Sequence, residues 1–238
     1  MTLRSGAELA DVAEPAWPLI ADAVDTAVVP VRVIRVSRDR GLRELRRLQV
    51  SAASVLGALA LNCGGLVLDG GWVRILGAGA EHLPSLADAN GLGDGEHEAA
   101  APGRLVVAFD VLGGVFAVDG GALGIGPGEV CYRGPDTLRW VGLGAGHGAF
   151  VLSALDGALG DDFYDGLRWS SWREDVTALQ LDEGMHLWPP PFSAEGRAAE
   201  TVSRCPASHA ELVAYYDDLA RQLESVPEGA RFNITTRE

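Results

Sequence analysis

The chain has 238 residues, 47% of them hydrophobic, and a formal net charge of -14, so it is long enough to bury a full core. That charge repels phosphate backbones and anionic membranes over a Debye length of about 8 Å, which argues against nucleic acid as a partner. No uninterrupted apolar run approaches the roughly 18 residues of a membrane span, and Glu8, Asp11 and Glu14 interrupt the start where a secretory leader would be apolar. The expected compartment is therefore the cytoplasm. Cys63, Cys131 and Cys205 form no Cys-x-x-Cys pair and leave an odd count, which fits free thiols in a reducing environment. All 19 basic residues are arginine, a bias that fits a GC-rich bacterial genome.

Taken in order, the chain first predicts a helix over residues 16–26, where Trp17, Ile20 and Val24 recur at helical spacing and Pro18 sits in the first turn. Residues 28–36 alternate as a strand does. A long helix is expected over 41–61, with Leu45, Leu48, Ala52, Val55, Leu56 and Leu59 in one stripe, stopped by a left-handed glycine in the Cys63-Gly64-Gly65 run. Seven arginines fall between Arg32 and Arg47; they suit a solvated face or, alternatively, a site for an anion or acidic partner. Strands follow at 66–68 and 71–76. Gly77-Ala-Gly79 lacks the third glycine of a dinucleotide loop. A short helix is expected over 81–89, then a polar loop whose Asp94, Glu96, His97 and Glu98 offer oxygen and nitrogen ligands without a second matching cluster.

The centre of the chain is more distinctive. Apolar runs at 105–109 and 115–118 flank Gly113-Gly114, a pair suited to a tight hairpin turn, and a further strand is expected at 129–132. With 71–76 these make an antiparallel meander. Beyond a turn at Pro135-Asp136, a helix starts at His147 with Phe150, Val151, Ala154 and Leu155 inward. A helical pattern runs through 161–179, with Phe163, Tyr164, Leu167, Trp169, Trp172 and Val176. Pro189, Pro190 and Pro191 break the chain between Trp188 and Phe192. Residues 208–224 read as a helix with Ser208 and Glu211 at capping-box spacing, and the tail 231–238 as a strand or a frayed end. The fold class expected is α+β: one domain over 1–238, with a core at about 15–225, whose curved antiparallel sheet, a meander with a Gly-Gly hairpin, is flanked by helices.

Catalytic sets are sparse. Cys63 stands at a predicted helix end, with five histidines scattered elsewhere at 82, 97, 147, 186 and 209, none paired at i, i+4; no metal site and no cofactor are indicated. No Gly-x-Ser-x-Gly elbow occurs. Asp110, Asp119 and Asp136 fall at strand ends near one another, either as acid–base partners or as residues that satisfy turn N–H groups. Tyr132, Trp140, Arg168, Trp169 and Trp172 are of the types that dominate binding hot spots and equally of the types that fill cores.

Several linked motifs carry a resemblance: Gly71-Trp-Val-Arg-Ile-Leu-Gly-Ala-Gly79, Val107-Ala-Phe-Asp-Val-Leu-Gly-Gly-Val-Phe-Ala-Val-Asp-Gly-Gly121, Cys131-Tyr132, Pro135-Asp-Thr-Leu-Arg-Trp140, Phe163-Tyr164 and Leu167-Arg-Trp-Ser-Ser-Trp172. Over roughly residues 15–220 the chain resembles the bacterial domain of unknown function 2625 family. The order of its elements is also similar to the SUKH superfamily, often immunity proteins that neutralise toxins. That likeness implies a SUKH-like sheet and an acidic surface suited to a basic, toxin-like partner; neither family supplies a catalytic residue. The expected function is a non-enzymatic binding module, such as an immunity-type protein, with Asp110, Tyr132, Asp136, Trp140, Arg168 and Trp169 as partner- or ligand-binding residues. The alternative is a small-molecule hydrolase or ligand-binding enzyme using Cys63 or Asp110/Asp136. A homodimer through the Arg32 to Arg47 face is a third expectation.

Overall fold

The structure is a computed structural model describing residues 3–95 and 101–224. Seven strands, β1 (Val31–Ile34), β2 (Gly65–Leu68), β3 (Val73–Leu76), β4 (Arg104–Asp110), β5 (Val115–Asp119), β6 (Glu129–Arg133) and β7 (Trp140–Gly146), form one sheet in sequence order. Every neighbouring pair is antiparallel, and the sheet is open, with β1 and β7 at its ends. The Gly-Gly hairpin forms as the sequence predicts: Gly113 takes φ 86°, and Phe109 pairs with Val115.

Residues paired across a sheet share a face, so the register sorts the side chains. One row runs Arg32, Val67, Arg74, Phe109, Val115, Arg133, Trp140. A row on the opposite face runs Val33, Leu66, Ile75, Ala108, Phe116, Tyr132, Val141. The second face is the larger core. There Phe116 meets Phe150 of α6 (His147–Leu155) at 5.1 Å between ring centroids, and α6 packs with α2 (Trp17–Asp25) and α4 (Val55–Asn62). The first face is covered by the C-terminal part of the chain: β8 (Glu183–Trp188) paired with β9 (Ser203–Ser208), and α8 (His209–Leu223). Phe109 stacks on His209 at 4.2 Å, and Arg133 pairs with Asp217.

Several expected elements differ. The helix of 41–61 is two helices, α3 (Arg38–Leu48) and α4, because Gln49 turns left-handed at φ 52° and Ser54 caps a new start by accepting the Gly57 N–H. The two then cross closely; a Cβ on Gly41 would lie 2.1 Å from the Leu61 carbonyl oxygen. No left-handed glycine ends α4: Cys63 is extended, and Gly64 donates to Ile34. Helix 81–89 shrinks to α5 (Leu86–Ala89) behind a tight turn in which His82 has φ 60°. The strand of 28–36 shortens to β1. In the 161–179 stretch only α7 (Trp172–Thr177) is helical, because the aromatics before it fold back onto Trp72. β7, β8 and β9 are strands that sequence periodicity does not reveal. A short α1 (Gly6–Ala10), closed by a Ser5/Glu8 capping box, precedes the predicted elements. Ser208 caps α8 by accepting the Glu211 N–H. The Glu96, His97 and Glu98 ligands and the 231–238 tail lie outside the described residues.

Candidate binding site

Asp110 ends β4 with no exposed surface. Its Oδ1 accepts the N–H groups of Leu112 (2.9 Å) and Gly114 (2.8 Å), and its Oδ2 accepts the hydroxyls of Tyr132 (2.7 Å) and Tyr164 (3.3 Å). Burial raises the carboxyl above its ordinary range in spite of these donors, and burial likewise pushes both phenols up. A carboxylate enclosed by four donors has no face left for a substrate proton, so this group pins the β4–β5 turn to β6 and to the Tyr164 segment. Asp119 lies at the other end of the hairpin, opposite Arg104. Burial works against its charge, but N–H donors from Gly121, Leu123, Ile125 and Gly126 prevail and hold it low. Asp136 is exposed beyond β6, at the Asp110 end. The structure therefore does not gather the three aspartates into an acid–base set.

Cys63 is buried, and burial pushes its thiol up to about 12; almost none is thiolate at neutral pH. With a disulfide-exchange reagent, exposed Cys205 is expected to label first. Cys63 should stay far slower than a model thiol in the native protein. Rapid native labelling in Cys205→Ser that disappears in the Cys63→Ser double variant would contradict this.

Arg168 and Trp169 also turn inward. The Arg168 guanidinium lies 4.8 Å from the Trp72 ring and 4.3 Å from the Trp172 ring, paired with Asp69 (3.0 Å) and Asp161 (2.6 Å). Trp169 packs on Trp72 at 5.8 Å and donates its indole N–H to Asp175 (2.6 Å). Trp72, not singled out by the sequence reading, is the hub of this cluster. Trp140 is half-buried at the start of β7, between Arg104 (5.6 Å) and Arg133 (5.4 Å). Along β7, Gly144 is left-handed and gives its N–H to the Glu129 carboxylate (2.7 Å), a device that blunts an end strand against further pairing. Of the six residues selected from sequence, Asp110 with Tyr132 and Arg168 with Trp169 are joined through Tyr164, which donates to Asp110 and lies 5.4 Å from the Arg168 guanidinium. Asp136, by contrast, is exposed beyond β6, and Trp140 lies at the start of β7.

An open cleft lies elsewhere. Between β1–β3 and α7 is a cavity of about 360 Å³. Arg32, Val67 and Arg74, neighbours in one sheet row, form its wall, and Val176, Leu179 and Leu181 lie among its other lining residues. Arg74 has no exposed surface. Its Nη1 donates to the carbonyls of Leu181 (3.2 Å) and Glu183 (2.5 Å), which fastens the start of β8 to the sheet. Its buried Nε has no acceptor, and among the described residues no carboxylate pairs with it. Burial lowers it to about 10, with Asp110, Asp182 and Glu183 pulling weakly the other way, so it stays cationic at neutral pH. A second hollow of about 550 Å³ shares Leu179 with the first and includes Asp175, Glu183 and Arg204. The sequence reading missed Arg74. The available clue was one arginine within Val73-Arg-Ile-Leu76, a strand buried at every position. Among the described residues no cluster of three metal-ligating side chains occurs, and no helix is long and apolar enough to cross a membrane.

Comparison with known proteins supplies relatives but no activity. The chain is 36% identical over 203 residues to the uncharacterized protein YbfG of Escherichia coli (strain K12), covering 84% of this chain and 92% of that protein. It is 35% identical over 165 residues to an uncharacterized protein of Haemophilus influenzae (strain ATCC 51907 / DSM 11121 / KW20 / Rd), covering 69% and 72% respectively. No solved structure matches at a significant level. The model of the protein of unknown function DUF2625 family matches residues 7–212, and with these relatives it establishes that the chain belongs to that family.

Proposed function

We propose that the protein is a non-enzymatic binding module that takes a small ligand in the cleft between β1–β3 and α7. One observation carries this reading: at the cleft an open cavity meets a buried side chain, Arg74, whose hydrogen bonding is incomplete. The groups suited to chemistry, by contrast, are enclosed: Asp110 is saturated and Cys63 is held as a thiol. Binding sites of this kind are concave and mostly apolar, with a few convergent polar groups.

The test is a thermal-shift screen with small neutral, cationic and anionic compounds, run on the wild type and on Thr177→Trp. Thr177 lines the cavity and is exposed, so the indole should occupy the cleft without disturbing the core. A true ligand at about 100 times its Kd adds about 2.7 kcal/mol to stability. That should raise Tm by roughly 5–10 °C for a chain of this size, and the gain should vanish in Thr177→Trp. If no compound stabilises the wild type, or if Thr177→Trp responds equally, the cleft is not the site.

A further inference from the structure

We infer that the ligand of this cleft is a small carboxylic acid with an apolar body, its carboxylate paired side-on with the Nε and Nη2 edge of Arg74 once a small shift of that buried side chain opens the edge to the cavity. The inference rests on the reading of the cleft as a binding site and goes on to name what it binds. A guanidinium carries five N–H donors in a fixed plane. In Arg74 both Nη1 donors have acceptors, the carbonyls of Leu181 and Glu183. Nε has none, and no hydrogen bond from Nη2 occurs among the described residues. These two nitrogens share the edge that presents parallel donors to the two oxygens of a carboxylate.

The structural role of Arg74 accounts for only part of this arrangement. Clipping the 181–183 segment to the sheet uses Nη1 alone, and a neutral donor would serve two carbonyls at less desolvation cost than a buried cation. The positive charge itself has no ion-pair partner among the described residues. His209, buried on the same face and kept neutral by burial and by Arg74 itself, adds no negative charge. Arg32 lies two strands away in the same row, about 10 Å at the usual strand spacing, exposed and without a partner among the described residues. It supplies a second positive charge near the cavity and draws anions in.

The remaining wall decides between anions. Val67, Val176, Leu179 and Leu181 make the hydrocarbon part of the wall, while Arg32 and Thr177 are its other polar side chains, so the cavity suits an anion that also carries an apolar body better than a bare phosphate. A planar carboxylate needs only the one edge, and its alkyl body matches the valines and leucines. Thr177 is the neutral polar side chain of the lining.

Isothermal titration with hexanoate, hexanamide and inorganic phosphate tests the assignment on the full chain. Hexanoate is expected to bind at least about tenfold more tightly than hexanamide, the difference a charge-assisted bidentate pair makes, and phosphate should bind more weakly still. Thr177→Trp should abolish hexanoate binding, and Arg74→Lys should weaken it about tenfold by removing the fork while keeping the charge. Should Arg74→Lys fail to fold, Arg32→Ala decides instead: exposed and away from the core, it should weaken hexanoate several-fold more than it weakens hexanamide and reduce the salt dependence of hexanoate binding, and an equal effect on both compounds would count against the carboxylate. Equal binding of hexanamide and hexanoate, both lost in Thr177→Trp, would overturn the carboxylate while leaving the cleft as a binding site. Preference for phosphate would also overturn it. If none of the three binds, the carboxylate is rejected, and the broader compound screen separately judges the cleft.

Discussion

Asp110→Ala is expected to destabilise the protein by about 3–5 kcal/mol, the cost of removing one member of a buried charged network. Four donors converge on this carboxylate inside the core, and alanine would leave all four without an acceptor. Each stranded group costs about 1–3 kcal/mol, reduced where the Tyr132 and Tyr164 hydroxyls rotate to other partners. Asp110→Asn keeps an oxygen for the Leu112 and Gly114 N–H groups and presents its amide to two hydroxyls able to accept, so its cost should be about 1–2 kcal/mol. The pH sense follows from burial, which raises the carboxyl. Stability linked to Asp110 is fully present below its unfolded pKa and is lost as pH rises through the folded one, so the asparagine variant should compare best with wild type at higher pH. Urea denaturation of the three proteins at two pH values measures this. A carboxylate held in place for catalysis is commonly a burden on stability; if Asp110→Ala proves as stable as wild type, the assignment of Asp110 as a structural pin fails.

The sheet was legible where glycine and apolar runs alternate sharply. Gly113-Gly114 between two β-branched and aromatic runs leaves little choice but a hairpin, and β2 to β6 follow from the same punctuation. The break between α3 and α4 was not legible, because the Leu48, Ala52, Val55 spacing continues the stripe across it. What divides the helices is the left-handed Gln49 and the Ser54 cap. β7 contains Gly142, Gly144 and Gly146, which erase the alternation that marks a strand, and β9 contains Pro206.

At the candidate site the limits were different. Arg168, Trp169 and Trp172 have the composition of a binding surface, but their partners, Asp69 and Trp72, come from about 100 residues earlier; composition cannot show that the core already holds them. Arg32 was in view as one of a run of arginines with an anion site among its readings. Its row-mate Arg74 becomes visible only when β1, β2 and β3 are placed in register. The resemblance to the family rests on linked motifs and holds, whereas the SUKH resemblance rests on element order and none of the matched proteins supports it.

Acidification from pH 6.5 to 4.5 should lower stability steeply, and two histidines should account for most of the slope. His209 stacks on Phe109 with its Nε2 buried and without a partner; burial first, and then the Arg74 cation, hold it down to about 3. His147 begins α6 and is partly exposed as a residue, but both its ring nitrogens are buried without partners, and burial holds it down to about 4. Both are neutral in the folded state. A depressed folded pKa means that the stability is present above the unfolded value of about 6.5 and is lost as pH falls towards the folded value. Between those limits each histidine contributes up to about 1.4 kcal/mol per pH unit. Asp119, Asp175 and Glu200, held low by their hydrogen bonds, begin to cost stability only below about pH 4.5; Asp110 and Glu44, both raised by burial, act in the opposite sense to the histidines and offset part of their slope. His82, raised by its bond to Asp182, acts in the opposite sense but is exposed and screened. His209→Phe and His147→Leu should each flatten the dependence by up to about half, and the double variant should remove most of it, as read from urea midpoints at half-unit steps of pH. A flat profile in the wild type would mean that both imidazoles find water or acceptors when charged. For His209 that would require α8 to lift from Phe109 and Arg74, so a flat profile should be accompanied by faster hydrogen exchange at the start of α8 over the same window.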